Sequence, residues 1–125
     1  MGVDYRIEEG VAIVTNSGSF TNQDVEETLH ALTRDQDCKP GIRVLFIDKG
    51  SDYSPRKHGA EEAARILGLL VPNISERIAI VVTKDLHFGI ARMIQVYCED
   101  HGVAFRVFRE EQAARNWLVE KPGIE

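Results

Sequence analysis

Apolar and polar residues alternate at the start of the chain, with Val3, Tyr5 and Ile7 on one side and Asp4, Arg6 and Glu8 on the other. That period of two predicts a strand with one wet face. Glu9-Gly10 signals a tight turn. The run Val11-Ala12-Ile13-Val14 then predicts a second, more buried strand, antiparallel to the first. Runs of the same kind recur at Val44 to Ile47, Ile78 to Val82 and Val103 to Val107. Each is short and rich in Ile, Val or Phe, the pattern of a strand covered on both faces.

Between these runs the period changes to that of a helix. Thr21 is a natural N-cap with Asp24 at N3, and Phe20 and Val25 flank it at staple positions. Val25, Leu29 and Leu32 form the buried stripe of this first helix, and Pro40-Gly41 ends the connection after it. Ser54-Pro55 opens the second helix as N-cap and N1. Ala60, Ala63, Ile66, Leu67 and Leu70 share one face of it, and Pro72-Asn73 closes it. The third helix runs from Leu86 to His101 and is stopped by Gly102. At 100° per residue, Ile90, Met93, Ile94, Tyr97 and Cys98 point inward, while Phe88, Arg92 and Val96 follow one outer line. Ala113, Ala114, Trp117 and Leu118 give a short last helix, and Lys121 to Glu125 is expected to fray.

The predicted order is ββαβαβαβα. Strands separated by helices of this length require right-handed parallel crossovers. The fold class is therefore α/β, a mixed five-stranded sheet with helices on its faces and the first strand antiparallel. A chain of 125 residues suits one domain, spanning residues 1–125. The net charge of -5 argues against a general nucleic-acid binder, which needs surplus Lys and Arg. No apolar run approaches the roughly 20 residues of a membrane span, and the N-terminal residues lack a signal-peptide core. Cys38 and Cys98 are far apart and form no CxxC, so two reduced thiols in a cytoplasmic protein are expected.

Several motifs carry a resemblance. An opening strand reads Tyr5-Arg6-Ile7, a helix entry Gly18-Ser19-Phe20-Thr21, a strand end Phe46-Ile47-Asp48 and a third-helix start Phe88-Gly89-Ile90-Ala91-Arg92-Met93. With the element order, these make the chain resemble the SpoIIAA-like or STAS-like family, in its small stand-alone bacterial subgroup. That fold group relates to CRAL-TRIO lipid-transfer domains, but this chain is too short for their extra helices. The resemblance implies a non-enzymatic regulatory or protein-interaction module, with a homodimer or a protein partner and no cofactor. The family's anti-sigma antagonists are phosphorylated on a serine of an Asp-Ser-Ser-Gly segment. The matching segment here is Asp52-Tyr53-Ser54-Pro55-Arg56. Ser54 is in about that place, but the second serine and the glycine are missing. Ser54 is thus a weak phosphorylation candidate beside its role as an N-cap, worth about 1 kcal/mol.

Loops after the parallel strands emerge at one edge of such a sheet, where open α/β sheets bind ligands. This places Lys49, Lys84, His87 and Arg109 on one rim. Arg56, Lys57 and His58 fall in the first turn of the second helix, against its dipole, at a cost of about 0.3–1 kcal/mol each. Cations so placed point to an anion. Lys49, Ser54, Arg56, Lys57, His58, Lys84 and His87 are accordingly a candidate site for a small anionic or lipid-like ligand. The alternative is that Asp48, Asp52, Asp85 and Glu110 neutralise these cations in solvated pairs of little worth. Phe88, Arg92 and Val96 have the composition of an interface, unless Phe88 folds back over the helix start. The four histidines lie too far apart to share a metal. Ser54, His58 and Asp48 have only generic spacing and lack a Gly-x-Ser-x-Gly nucleophile elbow, so no catalytic residue is expected.

Overall fold

A computed structural model describes residues 2–53, 59–70, 77–100 and 102–120. Ser54 to His58, Pro72, Asn73, His101, the tail from Lys121 and the side chain of Leu70 lie outside the described residues. The elements are β1 (Val3–Glu8), β2 (Val11–Asn16), α1 (Asn22–Arg34), β3 (Arg43–Asp48), α2 (Gly59–Leu70), β4 (Arg77–Val81), α3 (Asp85–Asp100), β5 (Ala104–Phe108) and α4 (Glu111–Val119). They form one five-stranded sheet in the order β1-β2-β3-β4-β5. β1 is antiparallel to β2, and the other neighbours are parallel. The expected α/β class and element order are present, and every expected buried strand is a strand.

Glu9 and Gly10 make the β1–β2 turn with φ of 50° and 79°. Positive φ at both positions is the turn whose twist matches paired strands, and glycine takes it without strain. At α1 the Thr21 side chain accepts from the Asp24 backbone N–H at 3.2 Å, and Asp24 accepts from the Thr21 N–H at 2.9 Å. This capping box satisfies two backbone donors that the helix leaves open.

Right-handed crossovers that always step in the same direction leave their helices on the same face of the sheet. α1, α2 and α3 all pack there, over Ala12, Val14, Val44, Phe46, Ile78 and Phe105. Leu29, Leu32, Ala64, Leu67, Ile94 and Cys98 complete this core. α4 follows the last strand and covers the opposite face, where Ala114 and Leu118 meet Ile13, Leu45, Ile47, Ala79 and Val81. Arg43 donates to the Leu118 carbonyl and Arg77 to the Trp117 carbonyl. Two cations thus satisfy open carbonyls at the negative end of α4. The guanidinium groups of Arg77 and Arg106 also lie over the Trp117 ring, at 5.1 and 5.8 Å from its centroid.

Two expected inward positions are corrected. Met93 is 52 % exposed. α3 turns His87, Ala91, Ile94 and Cys98 into the core, and Met93 falls to one side of that stripe. Ala113 is exposed for the same reason, since α4 docks through Ala114 and Leu118. Cys98 is fully buried, and burial, helped by the charge of Glu99, pushes its thiol up to about 11. It is therefore protonated at neutral pH and unreactive.

β1 is also fastened to the end of α1. The Tyr5 hydroxyl donates to Asp35 Oδ2 at 2.8 Å, and the Asp37 N–H donates to Asp35 Oδ1 at 2.9 Å. The Asp37 N–H and then the Tyr5 hydroxyl hold Asp35 below the ordinary carboxylate range. A carboxyl depressed by folding contributes stability above its unfolded pKa, and that contribution is lost as pH falls through the folded value. Tyr5→Phe should move the Asp35 titration upward in carboxyl NMR shifts and reduce the stability lost on acidification. An unchanged titration would show that the hydroxyl does not hold the proton off.

Candidate functional site

The three-helix face repeats along each strand at every second residue. On β2 this gives Ala12, Val14 and then Asn16, and on β3 Val44, Phe46 and then Asp48. Asn16 and Asp48 are register partners at the carboxyl ends of the two strands. Both are buried, at 7 % and 6 % exposure. A covered apolar face therefore ends in two adjacent polar side chains, which need partners or a function.

Asp48 has partners. Its Oδ1 accepts from the Ser51 backbone N–H at 2.8 Å, and its Oδ2 accepts from the Ser51 hydroxyl at 3.2 Å. His87, at 4 % exposure in the first turn of α3, brings Nδ1 to 2.8 Å from Asp48 Oδ2. That approach is angled off the hydrogen-bond axis and is an ion pair when the ring carries both its protons. The other ring nitrogen, Nε2, is 2.8 Å from the Tyr53 carbonyl. A carbonyl only accepts, so Nε2 carries a hydrogen.

The same contacts bind the loop after β3 to the helices. The Tyr53 ring stacks on Phe20 at 4.8 Å and 8°. Its hydroxyl donates to Asn22 Oδ1 at 2.5 Å, and Asn22 Nδ2 donates to the Gly59 carbonyl and to Glu62 Oε1, both at 3.0 Å. Burial, more than any neighbouring group, raises the Tyr53 pKa, so its hydroxyl remains a donor. Lys84 Nζ donates to the Ser51 carbonyl at 2.8 Å.

Behind this polar edge lies a cavity of about 70 Å³ between the sheet and the helix layer. Phe46, Ile80, Val82 and Phe105 form its floor. Val25 of α1, Ile66 and Leu67 of α2, and Ile90 and Ile94 of α3 form its walls. Asn16, Asn22, Asp48, Tyr53 and His87 line it as well. An apolar cleft with a few converging polar groups is the usual form of a small-molecule site.

Solved structures share this architecture, among them an uncharacterised protein of the DUF3478 family with a SpoIIAA-like fold, from Shewanella loihica PV-4. It superposes with a TM-score of 0.58 over 93 % of this chain and 91 % of its own, at 20 % identity. The fold is SpoIIAA-like. At that identity the likeness is one of fold alone. No protein-family model matches the sequence, and no curated protein matches it.

Within this SpoIIAA-like fold the residues expected on one rim follow the carboxyl ends of β3, β4 and β5, each with its own contacts. Lys49 is exposed, and its backbone N–H extends the β2–β3 pairing to the Asn16 carbonyl at 2.8 Å. Lys84 is tied to the Ser51 carbonyl, with Asp52 at 3.9 Å. His87 is a buried partner of Asp48 rather than a rim cation. Arg109 pairs with Asp85 at 2.9 Å. Ser54, Arg56, Lys57 and His58 lie outside the described residues. On the outer side of α3, Arg92 is exposed and Val96 is 58 % exposed. Phe88 is half-buried, with the Arg109 guanidinium 4.3 Å above its ring and that of Arg92 at 6.0 Å. Among the described residues no group of His, Cys, Asp or Glu is placed to hold a metal, and no helix is long and apolar enough to cross a membrane.

Asn16, Asn22, Ser51 and Tyr53 were not legible as site residues. The available signal was the strand period, which places polar Asn16 and Asp48 where the next apolar residue belongs. Removing one member of a buried ion pair costs about 3–5 kcal/mol. Asp48→Ala and His87→Ala should each destabilise the protein on that scale in urea unfolding. The double variant should lose much less than their sum. Additive losses would show that the two side chains are not coupled.

Proposed function

We propose that this protein is a non-enzymatic, STAS-like binding module. Its small amphiphilic ligand enters the cavity under α1, α2 and α3 from the carboxyl edge of the sheet. The observation that carries this reading is the cavity itself, apolar in floor and walls and polar where β2 and β3 end. The buried polar side chains support binding rather than chemistry. Asp48, Ser51 and His87 hold one another and the loop after β3, and the Ser51 hydroxyl is engaged with Asp48. A regulatory role follows naturally, because a ligand here would touch all three helices of one layer and could bias their packing.

A second reading, association with a protein partner or a second copy, is favoured by the outer side of α3. Leu86, Met93 and Val96 are exposed there at 60 %, 52 % and 58 %. Together with Arg92 they form an apolar strip flanked by charge, suited to an interface. The two readings are compatible, since α3 carries the strip outside and a cavity wall inside.

Pentan-1-ol is a suitable probe for the cavity. Titrated into the protein, it should shift the methyl resonances of Ile80, Ile90 and Ile94 before any others. Ala63 of α2 also lines the cavity, so Ala63→Phe places a ring in it and should abolish those shifts while the melting temperature stays within a few degrees. Shifts confined to other methyls in the wild-type protein would end the cavity reading. For the second reading, Met93→Asp and Val96→Asp should abolish self-association in sedimentation without lowering the melting temperature. A wild-type protein that stays monomeric at high concentration would remove self-association.

A further inference from the structure

Among the described residues two buried side-chain atoms at the polar edge have no hydrogen-bond partner, His87 Nδ1, which faces Asp48, and Asn16 Oδ1. The Asn16 side chain is more than nine-tenths buried, at 7 % exposure, and it lines the cavity. Buried acceptors without partners are rare in folded proteins, and each calls for an explanation such as a missing water, an ion or a ligand. Burial in an apolar surround makes this one costly. Asp48 beside it holds Ser51, faces His87 and, as a carboxylate, has no hydrogen to donate. The cavity's other polar side chains are engaged elsewhere: Tyr53 donates to Asn22, Asn22 to Gly59 and Glu62, and His87 Nε2 to the Tyr53 carbonyl.

We infer that the ligand of this cavity carries a neutral hydrogen-bond donor, a hydroxyl or a primary amide, at the end of a short apolar chain, and that it enters head-first to donate to Asn16 Oδ1. The inference rests on the cavity reading above and adds the chemistry of the head. The acceptor is what selects it. A carboxylate or phosphate head would bring more lone pairs and a negative charge against Asn16 Oδ1, with the Asp48 carboxylate on the neighbouring strand. An ammonium head would bury a charge beside an Asp48 already opposed by His87 and bonded by Ser51. A ketone or ester head fits the space but leaves two acceptors facing each other. The size is set by the cavity. Its volume of about 70 Å³ is about half that of an apolar cavity that takes benzene, so the buried part is a chain of only a few carbons.

The test keeps the chain and changes the head. Pentan-1-ol, pentanamide, pentan-2-one and sodium pentanoate are titrated into wild-type protein and into Asn16→Leu, and affinities are read from the Ile80, Ile90 and Ile94 methyl shifts. In the wild type, the alcohol and the amide should bind at least about fivefold tighter than the ketone, the worth of one net hydrogen bond. The ketone is the control for charge, since it differs from the alcohol in lacking a donor and not in ionisation. Pentanoate should bind weakest. In Asn16→Leu the alcohol and the ketone should come within about twofold of each other while the methyl shifts persist. This variant should melt no lower than the wild type, because it removes a buried acceptor without a partner. Equal affinity of ketone and alcohol in the wild type would overturn the inference and leave the cavity reading standing. So would an alcohol preference that survives unchanged in Asn16→Leu. If none of the probes shifts these methyls, the cavity reading falls and the inference with it. The wild-type ranking decides by itself if Asn16→Leu does not fold.

Discussion

The direction in which the chain steps across its sheet constrains everything else in this molecule. β2, β3, β4 and β5 are added in sequence order, all parallel. With right-handed crossovers, this order sends α1, α2 and α3 to one face. The sheet never reverses its order, so there is no crevice of the kind found where two crossovers diverge. Space for a ligand has to lie between the sheet and a single helix layer. The cavity is found there, with its polar end at the carboxyl edge. The opposite face is left to α4, whose nine residues bury only Ala114 and Leu118 fully. Arg43 and Arg77 add bonds to its last carbonyls.

The carboxyl edge gathers the polar groups for a related reason. A strand that ends in the middle of a covered face exposes its last side chains to the loops rather than to the next apolar layer. Asn16 and Asp48 occupy that place in register. Asp48 is bonded by Ser51 and faced by His87, and these in turn fix the loop that carries Tyr53. Phe20 and Asn22 hold Tyr53 from the start of α1. Apart from the local Asp48–Ser51 bonds, these contacts join segments distant in sequence, and together they build the mouth of the cavity. A buried pair of this kind contributes little net stability against an apolar substitute, yet it is costly to break by halves. Its contribution here is to hold the loop after β3 against α3.

The SpoIIAA-like fold is a scaffold on which function depends on the site and not on the topology. The outer strip of α3 and the inner cavity belong to the same helix. Ile90 and Ile94 face one, and Met93 and Val96 face the other. A ligand that repositioned α3 would move both surfaces together, which is one physical route by which a binding module without chemistry could signal.

The periods of the apolar runs were enough to place each strand, the capped start of α1 and the inward stripe of α1, because these are local consequences of side-chain spacing. The turn at Glu9-Gly10 was equally local. The sequence also separated the parallel strands from the antiparallel first one, since connection length decides that. What it left open was strand order, which depends on where each crossover lands. The fate of the charged residues was open as well. Lys84, His87 and Arg109 looked alike as rim cations. Tertiary packing buried His87 against Asp48, attached Lys84 to a carbonyl and set Arg109 over Phe88. Met93 was read as inward, and only the angle at which α3 docks turned it outward. The unpaired Oδ1 of Asn16 was decided last, because an acceptor is without a partner only once every neighbour has been placed.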